Sequence, residues 1–121
     1  MPQPEKMIQN AVLDYLKMRG VLCFPTNNGG VYDPARGCHR KPGKHYMAGV
    51  PDILGIYRGY PMAMEVKTET GRVSSPQSAF KKVWVYDGGL YALVRSVTDT
   101  ERVCHEWDIE IGGPMAAPFA P

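Results

Sequence analysis

The sequence has no apolar run long enough to cross a bilayer, and its first residues show no secretory leader pattern. Those absences lead to the expectation of a soluble protein kept inside the cell, in the cytoplasm. Cysteine is scarce and odd in number: Cys23, Cys38 and Cys104 show no CxxC pair and no regular spacing. A disulfide scaffold is not indicated, and reduced thiols are expected. Neither Cys38-His39 with His45 nor Cys104-His105 has the paired spacing of a structural zinc site. Internal repeats are absent. Net charge is only +2, a slight hint of a polyanionic partner. One local absence says more. No acidic residue lies between Asp33 and Asp52, while Arg36, Arg40, Lys41 and Lys44 all fall there with His39 and His45. A basic stretch of this kind attracts phosphate backbones. Alone it would read as a solvated loop; it gains meaning beside an acidic site.

What is present suits one compact domain. The 121 residues leave no room for two domains, and 44% hydrophobic residues argue against disorder. Met7, Ile8, Ala11, Val12, Tyr15 and Leu16 recur at helical spacing, predicting an amphipathic helix over 5–19 with Gly20 as its cap. Residues 21–24 read as a strand stopped at Pro25, and 26–50 as a long loop. Residues 53–57 and 62–68 read as strands joined by a turn at 58–61. Ser75 predicts a helix cap with Pro76 in the first position; the helix runs to about Tyr86, where Asp87-Gly88-Gly89 breaks it. Residues 90–94 read as a strand and 97 to about 107 as a last helix. The domain is expected over 1–111, with a loosely ordered tail over 112–121. The order helix, strand, strand, strand, helix, strand, helix predicts an α/β fold, a mixed sheet flanked by helices.

The chemistry is concentrated in Pro51-Asp52 and Glu65-Val66-Lys67. Strand side chains alternate between faces, so Glu65 and Lys67 point the same way and Val66 the other. Asp52 stands where the neighbouring strand begins, and the hairpin turn brings it back toward Glu65. Pro-Asp alone is a common turn, and Glu-x-Lys alone is an ordinary surface pair. Together, on apolar strands, they bring two carboxylates and an ammonium to one place, where burial would strand them unless they had a metal or each other. Phosphodiester hydrolysis needs such a set. Magnesium takes one or two carboxylates with water and phosphate, and the Val66 main-chain carbonyl offers a further oxygen. Lys67 suits water orientation or transition-state neutralisation.

The run Gly49-Val50-Pro51-Asp52-Ile53-Leu54-Gly55, then Glu65-Val66-Lys67, then Gly71-Arg72-Val73-Ser74-Ser75-Pro76-Gln77 resembles the VRR-NUC family of the PD-(D/E)xK nuclease superfamily, above all its small stand-alone phage and bacterial members. The resemblance covers about 5–98. It implies a restriction-endonuclease-like sheet in which Asp52 and Glu65 hold Mg2+ or Mn2+ and Lys67 is the catalytic lysine. Gln77 matches the family's glutamine near the site, and Glu5 a glutamate that helps position the metal or its water. Asn27 and Asn28 match a polar segment that approaches DNA, and Ala92 and Val94 the core strand behind the site. Stand-alone members imply a homodimer cutting branched DNA such as Holliday junctions, in DNA repair or phage metabolism. The exposed apolar residues of the first helix and the tail near Phe119 are candidate dimer surfaces.

Beside the resemblance, Glu5 also suits a helix first turn, and Asn27-Asn28 before Gly29-Gly30 suits a plain turn. Tyr57 is expected in the core, and Tyr46 is the best candidate to stack on a base. Lys81 and Lys82 fit a phosphate track or a solvated helix face equally well. The expected function is a structure-selective, Mg2+- or Mn2+-dependent DNA endonuclease. Arg36, Arg40, Lys41, Lys44, Asn27 and Tyr46 would contact the DNA. Two alternatives stay open: a sequence-specific restriction-type endonuclease, and a non-catalytic DNA-binding module that kept the fold.

Overall fold

The computed structural model describes residues 4–26, 32–33, 38–39 and 43–112. Helix α1 (Pro4–Met18) forms on the predicted stripe. Val12, Leu13 and Leu16 are buried, with Ile8 and Tyr15 packed beside them. Glu5 lies in its first turn and Lys17 in its last, each at the end where the helix dipole favours that charge. The apolar stripe therefore serves the monomer's own core. Of the apolar residues on this helix, Met7 (70% exposed), Ala11 and Met18 (77% exposed) stay at the surface. Phe119 lies outside the described residues.

Strand β1 (Leu22–Pro25) includes Pro25, which pairs with Ile53, so proline did not stop it. The strand is at the sheet edge, where a missing N–H is tolerated. The segment expected as one uninterrupted loop contains a small antiparallel ladder, β2 (Tyr32–Asp33) with β3 (Cys38–His39).

Strands β4 (Ile53–Tyr57) and β5 (Tyr60–Val66) form the expected hairpin, but its turn is only Arg58-Gly59. Both turn residues have positive φ, +51° and +89°, the arrangement whose twist matches paired strands. The tighter turn starts β5 two residues earlier than the sequence indicated, and β5 ends at Val66. Helix α2 (Ser75–Tyr86) is capped by Ser74, not Ser75. Ser75 and Pro76 are its first helical residues. Strand β6 (Leu90–Val94) lies parallel to β5. Helix α3 (Val97–Ile111) follows an N-cap at Ser96 and continues past 107 to a C-cap at Gly112, because Trp107 is a buried residue within it.

The sheet order is β1-β4-β5-β6, antiparallel except for the β5–β6 pair joined through α2. Its two faces differ. Ile53, Tyr57, Met62, Met64, Val66, Ala92 and Val94 alternate onto one face and pack with Val12, Leu16, Val103, Cys104 and Trp107 of α1 and α3. Tyr57 is in this core, as expected, its ring edge-on to Trp107 at 5.3 Å. Its hydroxyl donates to Asp108 Oδ1 at 2.7 Å, and Arg58 Nη1 donates to the same oxygen at 3.1 Å, tying the hairpin turn to α3. The opposite face carries Leu54, Ala63, Glu65, Tyr91 and Leu93, with α2 lying over it. Among the described residues no helix is long and apolar enough to cross a membrane.

Candidate active site

Asp52 is set by local backbone bonds before any side chain meets it. Thr26 N donates to Asp52 O at 2.9 Å, and Thr26 Oγ1 donates to Pro51 O at 2.6 Å. These extend the β1–β4 ladder by one residue and turn the Asp52 side chain across the end of β5. There Val66 N donates to Asp52 Oδ2 at 2.8 Å. Gly49, just upstream, has φ +83° and packs so tightly on α2 that an added Cβ would lie 2.2 Å from Pro76 O and 2.8 Å from Gln77 N. The glycine that opens the Gly-Val-Pro-Asp motif is thus required by close backbone contact as well as by φ. It clamps the Asp52 segment to the start of the helix that carries Gln77.

Glu65 is the centre of the arrangement. It is 2% exposed, one of only two buried polar or charged residues among those described. Its Oε2 accepts from Gln77 Nε2 at 2.7 Å and lies 3.6 Å from Lys67 Nζ. Its Oε1 is buried with no hydrogen-bond partner. Burial, and next the charge of Asp52, push the Glu65 carboxyl up to about 8; a hydrogen bond with Asp52 adds to the rise, Lys67 opposes it, and Glu5 contributes the weakest push upward.

Lys67 follows the last residue of β5, and its N–H donates to Val94 O at 3.1 Å. Its stem rests on Gly71, where a Cβ would come within 3.2 Å of it. Arg95 holds the turn between them, its Nη1 donating to the carbonyl of Thr68, to Gly71 O at 3.0 Å and to Glu69 O at 3.3 Å. Gln77 is set by the α2 cap. Ser74 N donates to Gln77 Oε1 at 2.9 Å, and Gln77 N donates to Ser74 Oγ at 3.3 Å, a complete capping box.

The structure therefore brings Asp52, Glu65, Lys67 and Gln77 together and places Glu5 within electrostatic reach. Lys44 and Tyr46 are exposed in a turn closed by Tyr46 N donating to Gly43 O at 2.9 Å. Asn27, Asn28, Arg36, Arg40 and Lys41 lie outside the described residues. Sequence reasoning missed Tyr91. Its phenol is pushed up to about 12 by burial, then by the charges of Glu65 and Asp52, so it looks onto both carboxylates. Strand alternation put Tyr91 on one of two faces; only the β5–β6 register shows that it is the Glu65 face. Arg95 and Ser74 were also missed. Ser74 is one residue before the serine chosen as cap, and Gln77 three residues later is the capping-box signal that would have found it.

Among the described residues no group of three or more His, Cys, Asp and Glu forms a metal cage. A hard cation that keeps most of its water needs less: one or two carboxylates and a ligand phosphate. The buried, unpartnered Glu65 Oε1, on a carboxyl that feels the charge of Asp52, fits that requirement. The two carboxylates thus stand together, with a lysine and a glutamine at Glu65 Oε2. Two solved structures carry the same fold. One, titled "VRR_NUC domain", has a TM-score of 0.55 at 22% identity over 88% of this chain and 94% of its own. The other, "VRR_NUC domain protein", has a TM-score of 0.59 at 17% identity over 93% of each chain. No family model matches the sequence, and no curated protein matches it. The chain has the fold of these VRR_NUC domain structures, an α/β domain with a four-stranded mixed sheet.

Proposed function

We propose that this protein is a DNA endonuclease dependent on Mg2+ or Mn2+, with Asp52, Glu65, Lys67 and Gln77 as its working residues and Glu5 as an outer acid. The observation that carries the reading is the Glu65 carboxyl: buried, raised to about 8 by that burial and next by the charge of Asp52, and left with one oxygen unpartnered. A buried acid kept in that state costs stability, and such costs concentrate at functional sites. Asp52, Glu65 and the Val66 carbonyl would hold the cation. The carbonyl is counted because a strand residue directs its N–H and C=O to the same edge, and the Val66 N–H points to Asp52. The bound cation supplies neutralisation of the phosphoryl oxygens and an acidified water.

The chain's own groups do the rest. Gln77 fixes the rotamer of Glu65 by holding Oε2, leaving Oε1 without a partner. Lys67 keeps its ammonium beside that carboxylate, 14% exposed, where it can meet a phosphoryl oxygen or steer a water with little bulk screening. The basic segment with Arg36, Arg40, Lys41 and Lys44, together with Asn27 and Tyr46, contacts the DNA. It leads through residues 47 and 48, which line a groove with α2, to Gly49 at the site.

The substrate is branched DNA such as a four-way junction, and the active species is a homodimer in the cytoplasm. A two-fold dimer presents two matched sites to a two-fold junction. The test is cleavage of labelled four-way junction, flap, single-stranded and linear duplex DNA with Mg2+ or Mn2+, comparing wild type with Glu65→Ala. Metal-dependent cutting of branched DNA that vanishes in the variant is expected. Equal cutting of linear duplex would replace the junction with a restriction-type or general substrate. No cutting by either protein would leave a DNA-binding module.

A further inference from the structure

The sequence made Lys81 and Lys82 equivalent, and the fold separates them. Lys81 lies one helical turn after Gln77, about 6 Å along α2 and on the same side of it. Gln77 reaches Glu65, so that side borders the carboxylate pair. Lys81 Nζ stands 5.5 Å from the centroid of the Tyr91 ring. Tyr91 is in register with Ala63, two residues before Glu65 on the same face of the sheet. The charges of Asp52 and Glu65 are both felt at its hydroxyl. A row of groups thus runs across the face from the carboxylates to Tyr91 and up to Lys81.

How Lys81 is held matters. Among the described residues no carboxylate forms an ion pair with it; the ion pairs are those of Arg19, Arg58, Lys67 and Arg102. An aromatic face attracts an ammonium and limits its wandering, yet leaves the full positive charge and its N–H donors available. A carboxylate partner would have cancelled the charge. The centre beside it carries Asp52, Glu65 and Glu5 against Lys67, and a polyanionic strand approaching those acids needs an uncancelled cation close by.

We propose that Lys81, held over the Tyr91 ring, binds the backbone phosphate next to the one at the carboxylate pair. Gln77 and Lys81 share one side of α2, so the carboxylate pair and Lys81 border one face along which a single strand would run. The inference rests on the nuclease reading and assigns its substrate a direction across the face, from Asp52 and Glu65 toward Tyr91.

The test is equilibrium binding of fluorescent duplex and four-way junction DNA by the full chain in EDTA, measured as anisotropy over a salt series. It therefore does not depend on cleavage. Lys81→Met is expected to weaken binding and lower the slope of log K against log salt by about 0.9 on duplex, one phosphate contact. Lys81→Arg should restore the slope and Lys82→Met should leave it unchanged. Tyr91→Phe, which keeps the ring, should bind as wild type, whereas Tyr91→Leu should weaken binding with the lysine intact. A wild-type slope in Lys81→Met, or an equal loss in Lys82→Met, overturns the proposal and leaves the nuclease reading standing. Failure of the wild type to bind either DNA overturns both.

Discussion

Gln77 Nε2 donates to Glu65 Oε2 at 2.7 Å while Gln77 Oε1 accepts from Ser74 N at 2.9 Å, so one amide both closes the α2 capping box and holds the central carboxylate. The two bonds fix which end of the amide faces which partner. They also allow the roles to be separated. Glu is as good as Gln at this position of a capping box, but at the site it would set a further negative charge against Glu65. Gln77→Glu is expected to keep the cap and to lose most of the cleavage activity. Gln77→Ala should lose the activity and the reciprocal half of the capping box, the bond from Ser74 N, while Ser74 Oγ keeps the backbone N–H of residue 77. Melting curves and cleavage rates of the two variants check this; wild-type cleavage by Gln77→Glu would remove Gln77 from the site.

Lys67→Ala is expected to lower cleavage at least a hundredfold, roughly 2.7 kcal/mol, the scale of removing one preorganised electrostatic group. DNA binding should persist, since Lys67 is one cation turned toward Glu65. Single-turnover cleavage and anisotropy measured on one preparation separate the effects. An unchanged cleavage rate would sink the assignment.

The metal-free protein should lose stability as pH rises. The folded Glu65 carboxyl is raised to about 8 from an ordinary value of 4.5, by burial first and by Asp52 next. Between those values the folded state binds a proton that the unfolded state has released. Stability therefore falls from about pH 5 to about pH 8 and levels off above, where both states are ionised. Glu65→Gln should flatten this slope. Mg2+ should raise the melting temperature of the wild type, most at the alkaline end, and leave Glu65→Gln nearly unmoved. Calorimetry in EDTA and in Mg2+ across this range gives the answer; a wild type whose stability rises with pH in EDTA would show that Glu65 is not held protonated.

Gly49→Ala should damage the site from a distance. The new Cβ would meet Pro76 O at a φ of +83°, so strain and overlap act together. A loss of roughly 1–3 kcal/mol is expected, with cleavage falling because the Asp52 segment and the Gln77 helix are pushed apart. Urea unfolding measures the first and cleavage of the folded fraction the second. A fully stable, fully active variant would show that the clamp is not needed.

Neutralising Arg40, Lys41 and Lys44 together should weaken DNA binding and flatten its salt dependence. A salt slope identical to wild type would show that this basic segment is not a backbone clamp.

Local information placed most of the elements. The period of Ile8, Val12, Tyr15 and Leu16 gave α1, and alternation in β5 put Glu65 and Lys67 on one face with Val66 opposite, because such periodicity is a property of the chain alone. The Pro-Asp and Glu-x-Lys pattern identified the residues that converge. Boundaries were less legible. Pro25 is tolerated in β1 only because β1 is the sheet edge. The Arg58-Gly59 turn is shorter than its surroundings suggested, and the serine that caps α2 is chosen by which hydroxyl reaches the Gln77 amide.

The sequence by itself determined the element order, the apolar faces and the grouping of Asp52, Glu65 and Lys67, since these follow from short-range spacing and from the chemistry of the side chains; Gln77 entered only through the family resemblance. Only the tertiary structure decided what those groups experience. The parallel register of β6 against β5 put Tyr91 on the carboxylate face and so set Lys81 apart from Lys82. The approach of Gly49 to Pro76 brought Gln77 to one oxygen of Glu65 and left the other without a donor. Burial and the distance between charges are set by contacts between residues far apart in the chain, and no local pattern encodes them.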